Sequence, residues 1–445
     1  MRRLVTAVVL CILLLPDIAP AQVKSGKSGG SEQLNLFGEA FDRIRQDAVD
    51  PVAESKLIRA AIAGMLSGLD PRASFMDEAA FKALQTPSND NEANLGLVVT
   101  IDNGQLKVVS PWDGSPAAQA GINPGDLIYA INKEPAYDLT LGEVEQKFRG
   151  PPGSEVQLTL RRSTGGAPVK LMLRREIYRL QTVTARLEAT NIGYLRIAGF
   201  DGGTQAALAA ATQDLRQRSG GKLIGFILDL RNNPGGSFDA AVAAADAFIE
   251  KGDIVVVKGR KPANVRRISA TAGDLAQALP LVALVNGGTA REAELVAGAL
   301  QDNRRAVLLG TRTFGESSIE TVIPLPSNGA IRLTTARFIT PTGRSIQGRG
   351  LDPDLVVTPL KLEKLTHGDR RHEAELRGAL KNTGPIDASG EDPTSAAASE
   401  ARAAAAPGEI PSFAAGDIGS ESDEQLSQAL DVLRGLALMN GRSAP

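Results

Sequence analysis

A chain of 445 residues with a formal net charge of −2 has the length for about three domains and no basic excess with which to follow a nucleic acid. Apolar residues make up 42% and charged residues 22%, which excludes a fibrous or wholly disordered chain. One cysteine, Cys11, and two histidines, His367 and His372, leave no material for a disulfide framework or a histidine-rich metal centre.

Met1 to Ala21 predicts a cleaved secretory signal peptide. Arg2 and Arg3 form its basic start, Val5 to Leu15 its apolar centre and Ala19-Pro20-Ala21 its small-residue cleavage site. The expectation is an exported protein, periplasmic or secreted, touching a membrane only if that segment stays uncleaved. Cys11 would leave with it. Residues 22–93 then read as a Gly/Ser/Lys tether and a helical region. Phe37, Phe41, Ile44 and Ala48 recur at helical spacing, and Leu57, Ile58, Ala61, Ile62 and Leu66 repeat the pattern. Asp70-Pro71 stops the second helix, and Pro87 to Ala93 is a polar linker.

Residues 94–175 change period. Leu95 to Ile101 and Gln105 to Val109 are strands joined across Asp102-Asn103-Gly104, a strong hairpin turn. Ser115-Pro116 opens a short helix ended by Gly121, and Gly125 to Ile131 is the next strand. Thr140 and Glu143 form a capping box for a helix to Phe148. By this pattern and by resemblance the stretch is similar to a PDZ domain. Such a domain adds a C-terminal peptide as an extra strand, its carboxylate held by backbone N–H groups. The resemblance assigns that loop to Asn94, Leu95, Gly96 and Leu97, and the apolar pocket beside it to Leu141, Val144 and Phe148.

Residues 176–360 alternate strands and helices. Strand Ile192 to Ile197 leads to helix Thr204 to Arg218. Strand Leu223 to Leu230 ends in Arg231-Asn232-Asn233-Pro234-Gly235-Gly236, ahead of helix Ser237 to Ile249. Glycines at the end of a buried strand present backbone N–H groups to an anion. The apolar run Leu281 to Val285 breaks at Asn286-Gly287-Gly288, a helix follows Thr289, and strands Ala306 to Leu309 and Ser318 to Ile323 flank Thr313-Phe314-Gly315.

These motifs, with the closing run from Phe338 to Asp354, resemble the carboxyl-terminal processing (tail-specific) protease family over residues 33–360. The resemblance implies an α/β multidomain fold: a helical N-terminal segment, a sandwich-like PDZ domain with two helices, an α/β protease core and a helical C-terminal segment. The family carries a serine nucleophile in the helix's first turn and a lysine base after Thr-Phe-Gly. Ala293-Glu294-Leu295 and Thr313-Phe314-Gly315 fix the frame without gaps, so the nucleophile's position falls on Arg291, the base's on Glu316 and the base's partner on Glu320. The oxyanion N–H groups would come from Gly235 and Glu292. Arginine offers no nucleophilic oxygen and keeps its proton, and loss of such a nucleophile costs on the order of 10⁶ in turnover.

A peptide-tail binder with a degenerate dyad, Arg291 ion-paired with Glu316, is the reading these residues support. Two alternatives stay open from the sequence: a working peptidase using Thr289, Ser317 or Ser318, and a regulatory subunit of an active paralogue in a homo- or hetero-oligomer. No cofactor or metal is expected. His367 and His372 lie five residues apart in a charged helix, 361–383, and so on different faces. Residues 384–420 are low in complexity, and 421–445 recover a helical pattern through Leu426, Ala429, Leu430, Leu433, Leu436 and Ala437.

Overall fold

A computed structural model describes residues 28–85, 93–163, 165–326, 329–358, 418–420 and 423–439. The predicted signal peptide, most of the tether and of the 87–93 linker, and the helix 361–383 with both histidines lie outside the described residues. Residues through Met65 form one compact unit, which holds α1 (Ser28–Asp47) and most of α2 (Glu54–Ser67). Leu34, Phe37 and Ile44 on α1 are exposed.

Leu66 onwards forms the second unit. Its first stretch corrects the all-helical expectation. After Pro71 the chain extends as β1 (Ser74–Met76) before α3 (Glu78–Gln85). Asp70 explains the break: its side chain turns back to accept the N–H groups of Arg72 and Ala73, which a continuing helix would have used.

The PDZ region follows as β2 (Leu97–Asp102), β3 (Gln105–Pro111), α4 (Pro116–Gln119), β4 (Leu127–Ile131), β5 (Glu134–Pro135), α5 (Leu141–Phe148), β6 (Glu155–Arg161) and β7 (Val169–Arg174). Its antiparallel sheet runs β2-β3-β4-β6-β7, with β2 at an edge. The capping box on α5 forms as the sequence requires: Thr140 Oγ1 accepts Glu143 N–H, and Glu143 accepts Thr140 N–H.

The core sheet comes next. It uses β8 (Val183–Glu188), β9 (Ile192–Ile197), β10 (Gly225–Asp229) and β13 (Leu281–Val285), with α6 (Thr204–Arg218) and α7 (Phe238–Asp246) between them. β14 (Val307–Gly310) and β17 (Leu355–Val356) complete it in the order β17-β14-β13-β10-β9-β8, parallel throughout except at β8. β9, β10 and β13 are buried along their whole length, which is why their sequences read as unbroken apolar runs. The third sheet is antiparallel: β1, β16 (Ala330–Ile339), β11 (Asp253–Gly259) and β12 (Val265–Ser269), with β15 (Ser318–Pro324) also on β16. Helix α8 (Glu292–Asp302) packs against α7, β11 and β14, and the helix Glu424–Met439 packs Leu426, Ala429 and Leu433 on the core sheet. Among the described residues no helix is long and apolar enough to cross a membrane.

Two contacts bind the PDZ region to the core. Arg196 of β9 grips Asp113 through Nε (2.5 Å) and Nη2 (2.7 Å), and Ser110 Oγ donates to Asn232 O at 2.8 Å. Trp112 lies so close over Gly199 that a Cβ there would come within 2.5 Å of its ring.

Candidate active site

The strand-to-helix elbow after β13 places Arg291 at the N-cap of α8 with φ 53° and ψ −119°. A side chain other than glycine is held there at a cost of order 1–3 kcal/mol, a strain found where a reacting group must be projected. The brace is Glu294, which is wholly buried. One of its oxygens accepts Thr313 Oγ1 and Gly315 N–H, the other Glu316 N–H (2.8 Å) and Arg291 N–H (3.2 Å). Burial pushes this carboxyl up to about 7, against the hydrogen bonds that favour its charged form. Elbow and base loop are therefore locked together by one side chain.

The geometry brings Arg291, Glu292, Glu316 and Glu320 into one cluster. Arg291 Nε lies 3.5 Å from Glu316 Oε1 and 3.8 Å from Glu292 Oε2, and its Nη2 lies 3.5 Å from Glu320 Oε2. Burial disfavours the guanidinium's charge, but Glu292, Glu316 and Glu320 outweigh it and hold the group above its ordinary value. Glu145, on PDZ helix α5, adds to the same effect.

The expected Arg291–Glu316 ion pair is present at 3.5 Å but without a hydrogen bond. Arg291 Nε and Glu316 Oε1 are both buried without a hydrogen-bond partner, while Arg72 Nη2 donates to Glu316 Oε2 at 2.5 Å. Burial raises Glu316 above the usual carboxylate range, and Arg72 and then Arg291 oppose it. Arg72 reaches the cluster from the loop that Asp70 turns, and no periodicity in the sequence marks it.

The oxyanion assignment also shifts. Gly235 N–H is taken by Asn233 Oδ1 at 2.9 Å, so the donor facing the cluster is that of Gly236. It is occupied: Glu292 Oε2 accepts it at 3.0 Å. A Cβ on Gly235 would meet the same oxygen at 2.3 Å. A carboxylate already sits where a tetrahedral oxyanion would need its donor.

Each of the substitute hydroxyls is engaged in a hydrogen bond. Thr289 is fully buried, its Oγ1 donating to Leu230 O (2.8 Å) and accepting Asn286 N–H (3.0 Å). Ser317 is fully buried against Gln347, and Ser318 Oγ donates to Glu320 Oε1 at 2.9 Å.

In the PDZ region Gly96 takes the left-handed backbone, at φ 67°. Asn94 spends its side chain on Gly96 N–H at 2.7 Å. Leu95, Leu141, Val144 and Phe148 are core residues of the domain, with Leu97 only partly covered beside them. Leu141, Val144 and Phe148 pack into the domain's core on α5, which lies beside β2. The edge of β2 remains as the place for an added strand.

The Asp229-Leu230-Arg231 run before the glycines does different work from the glycines themselves. Arg231 forks to Asp229 and to Asp423 of the C-terminal helix, with Nη2 at 2.5 and 2.6 Å, and donates to Gln425. Burial would raise Asp229, but Arg231 and Arg196 overcome it and hold the carboxyl down at about 2. Among the described residues no cluster of His, Cys, Asp and Glu has the makings of a metal site.

The profile of peptidase family S41 matches residues 191–357, and that of the PDZ domain residues 107–162. The carboxy-terminal-processing protease of Bartonella bacilliformis is 44% identical over 352 residues, 79% of this chain and 81% of that protein. A carboxy-terminal processing protease of Bacillus subtilis is 31% identical over 355 residues, 79% and 75% of the two chains. The solved photosystem II D1 C-terminal processing protease superposes with a TM-score of 0.63 at 31% identity, over 75% of this chain and 95% of its own. With its PDZ region, its core sheet and its strained elbow in that arrangement, this chain belongs to the carboxy-terminal processing protease family.

Proposed function

We propose that this chain is an exported member of its family that holds protein C-termini through the PDZ domain and does not cleave them. The observation that carries the reading is the carboxylate of Glu292 on Gly236 N–H, beside an arginine in the nucleophile's place. Acyl transfer needs a nucleophilic oxygen, a group to take its proton and a donor for the developing oxyanion. Arg291 supplies no oxygen, Glu316 is already bound to Arg72, and the Gly236 donor is filled. A Glu carboxylate can accept a proton, and Ser318 Oγ already donates to Glu320, but Ser318 stands on β15 and not at the start of α8 beside Gly236. Export rests on the leader-like residues 1–21.

The test is an incubation of purified protein with unfolded substrates bearing apolar C-termini, alongside binding measurements on the same tails. Binding of free-acid tails without turnover, and weaker binding of their amides, supports the reading. Cleavage that co-purifies with this chain overturns it.

A further inference from the structure

Between the loop after α2 and the sheet of β11, β15 and β16 lies a crevice of about 440 Å³, within the range of ligand sites. Its walls carry four cations, Arg72, Lys258, Arg260 and Arg337, and two carboxylates, Asp70 and Glu316. Both carboxylates are engaged: Asp70 accepts two backbone N–H groups, and Glu316 accepts Arg72. Lys258, Arg260 and Arg337 are exposed, and among the described residues none of them forms an ion pair.

Their placement is unfavourable without a partner. Lys258 on β11 stands directly opposite Arg337 on β16, and like charges at paired positions of an antiparallel ladder repel. Arg260 follows the end of β11 and lines the same crevice. Such a site gains from an anion, and the guanidinium forks suit carboxylates.

The neighbourhood points to a peptide. Thr100 of β2 borders the crevice, and β2 is paired on one side only. A tail added antiparallel to β2 with its carboxylate near Asn94 to Leu97 runs towards Asp102. At about 3.4 Å per residue it passes Thr100 about three residues upstream of its end. We propose that this crevice selects acidic side chains lying just upstream of a bound tail's C-terminus. The proposal deepens the tail-binding reading and rests on it.

The test is fluorescence anisotropy with the full chain and labelled peptides sharing one apolar free C-terminus, preceded by an acidic, a neutral or a basic block. The acidic peptide should bind about tenfold more tightly than the neutral one at low salt, with the advantage shrinking as salt rises. Lys258→Glu combined with Arg337→Glu should remove the advantage and leave the neutral peptide's affinity unchanged. The pair Lys258→Ser and Arg337→Ser should do the same, excluding a folding defect. Equal affinity for all three peptides, or a preference that survives both double variants, overturns the crevice while leaving tail binding intact. Failure of the neutral peptide to bind at all sinks the tail-binding reading and this proposal with it. Binding of anionic vesicles that the double variants abolish, with no peptide preference, would assign the crevice to a membrane surface and overturn the proposal.

Discussion

Glu292 Oε2 and the backbone N–H of Gly236 meet at 3.0 Å, so the site's anion donor is filled from within the chain. On the inactive reading proposed above, the nucleophile's absence is then not the only obstacle to catalysis.

Restoring the dyad alone should fail. Arg291→Ser with Glu316→Lys should leave turnover at background while Glu292 stays. Adding Glu292→Ala, which frees Gly236 N–H, should raise the rate of the restored enzyme by about 10²–10³, the usual worth of one oxyanion donor. Labelling by a serine-directed acylating probe, followed with hydrolysis of an unfolded substrate, reads both steps. Equal activity with and without Glu292 would show that its carboxylate leaves the donor in solution.

Arg72, not Arg291, should carry most of the stabilisation of Glu316. The Arg72–Glu316 side chains are 15% and 6% exposed, so removing Arg72 strands a buried carboxylate and should cost about 3–5 kcal/mol. Arg291, at 27% exposed and without a hydrogen bond to Glu316, should show a coupling of about 0–1 kcal/mol. Two double-mutant cycles read by urea unfolding rank the pairs, and the reverse order would contradict the geometry.

Glu294 should make stability fall with rising pH. Its folded value is about 7 against an ordinary 4.5, so the native state keeps a proton that the unfolded chain has lost. The contribution is complete below the ordinary value and is lost as pH rises through the folded one. The slope over that window should approach 1.4 kcal/mol per pH unit, roughly one proton's worth. Glu294→Gln should flatten it, whatever its own cost in stability. Urea midpoints for both proteins at about pH 5 and about pH 8 provide the comparison.

Asp423→Ala should destabilise the core by about 3–5 kcal/mol, because Arg231, at 2% exposure, would lose one of its two carboxylates without gaining water. Arg231→Met with Asp423→Leu should not recover the loss, because it strands the buried Asp229. A thermal melt reads both, and a single variant as stable as the parent would mean that the helix Glu424–Met439 is held by its apolar face alone.

The sheets were legible wherever burial left a pattern. Leu281 to Val285 and Ile192 to Ile197 are apolar because both faces are covered, and the Thr140–Glu143 capping box is a local rule that held. The frame that put Arg291 and Glu316 at the site was legible too, since it depends on spacing alone. What escaped was long-range: Arg72 lies 244 residues from Glu316, and Asp423 lies 192 from Arg231. Side-chain direction escaped as well. Glu292 was read for its backbone, and its carboxylate accepts Gly236 N–H as well. Val144 and Phe148 sit in the domain's own core.

Those two separations also set an order of events. A chain emerging from a ribosome folds its early domains first, and contacts far apart in sequence form late. Glu316 arrives long after Arg72, and Arg231 waits for Asp423 near the other end of the described chain. Until then the core's most buried arginine has only Asp229 and its neighbourhood to offset it. The helix that carries Asp423 thus acts as a closing latch, and a chain stalled before it would expose Ile192, Tyr194 and Ile227, the apolar face that the helix covers.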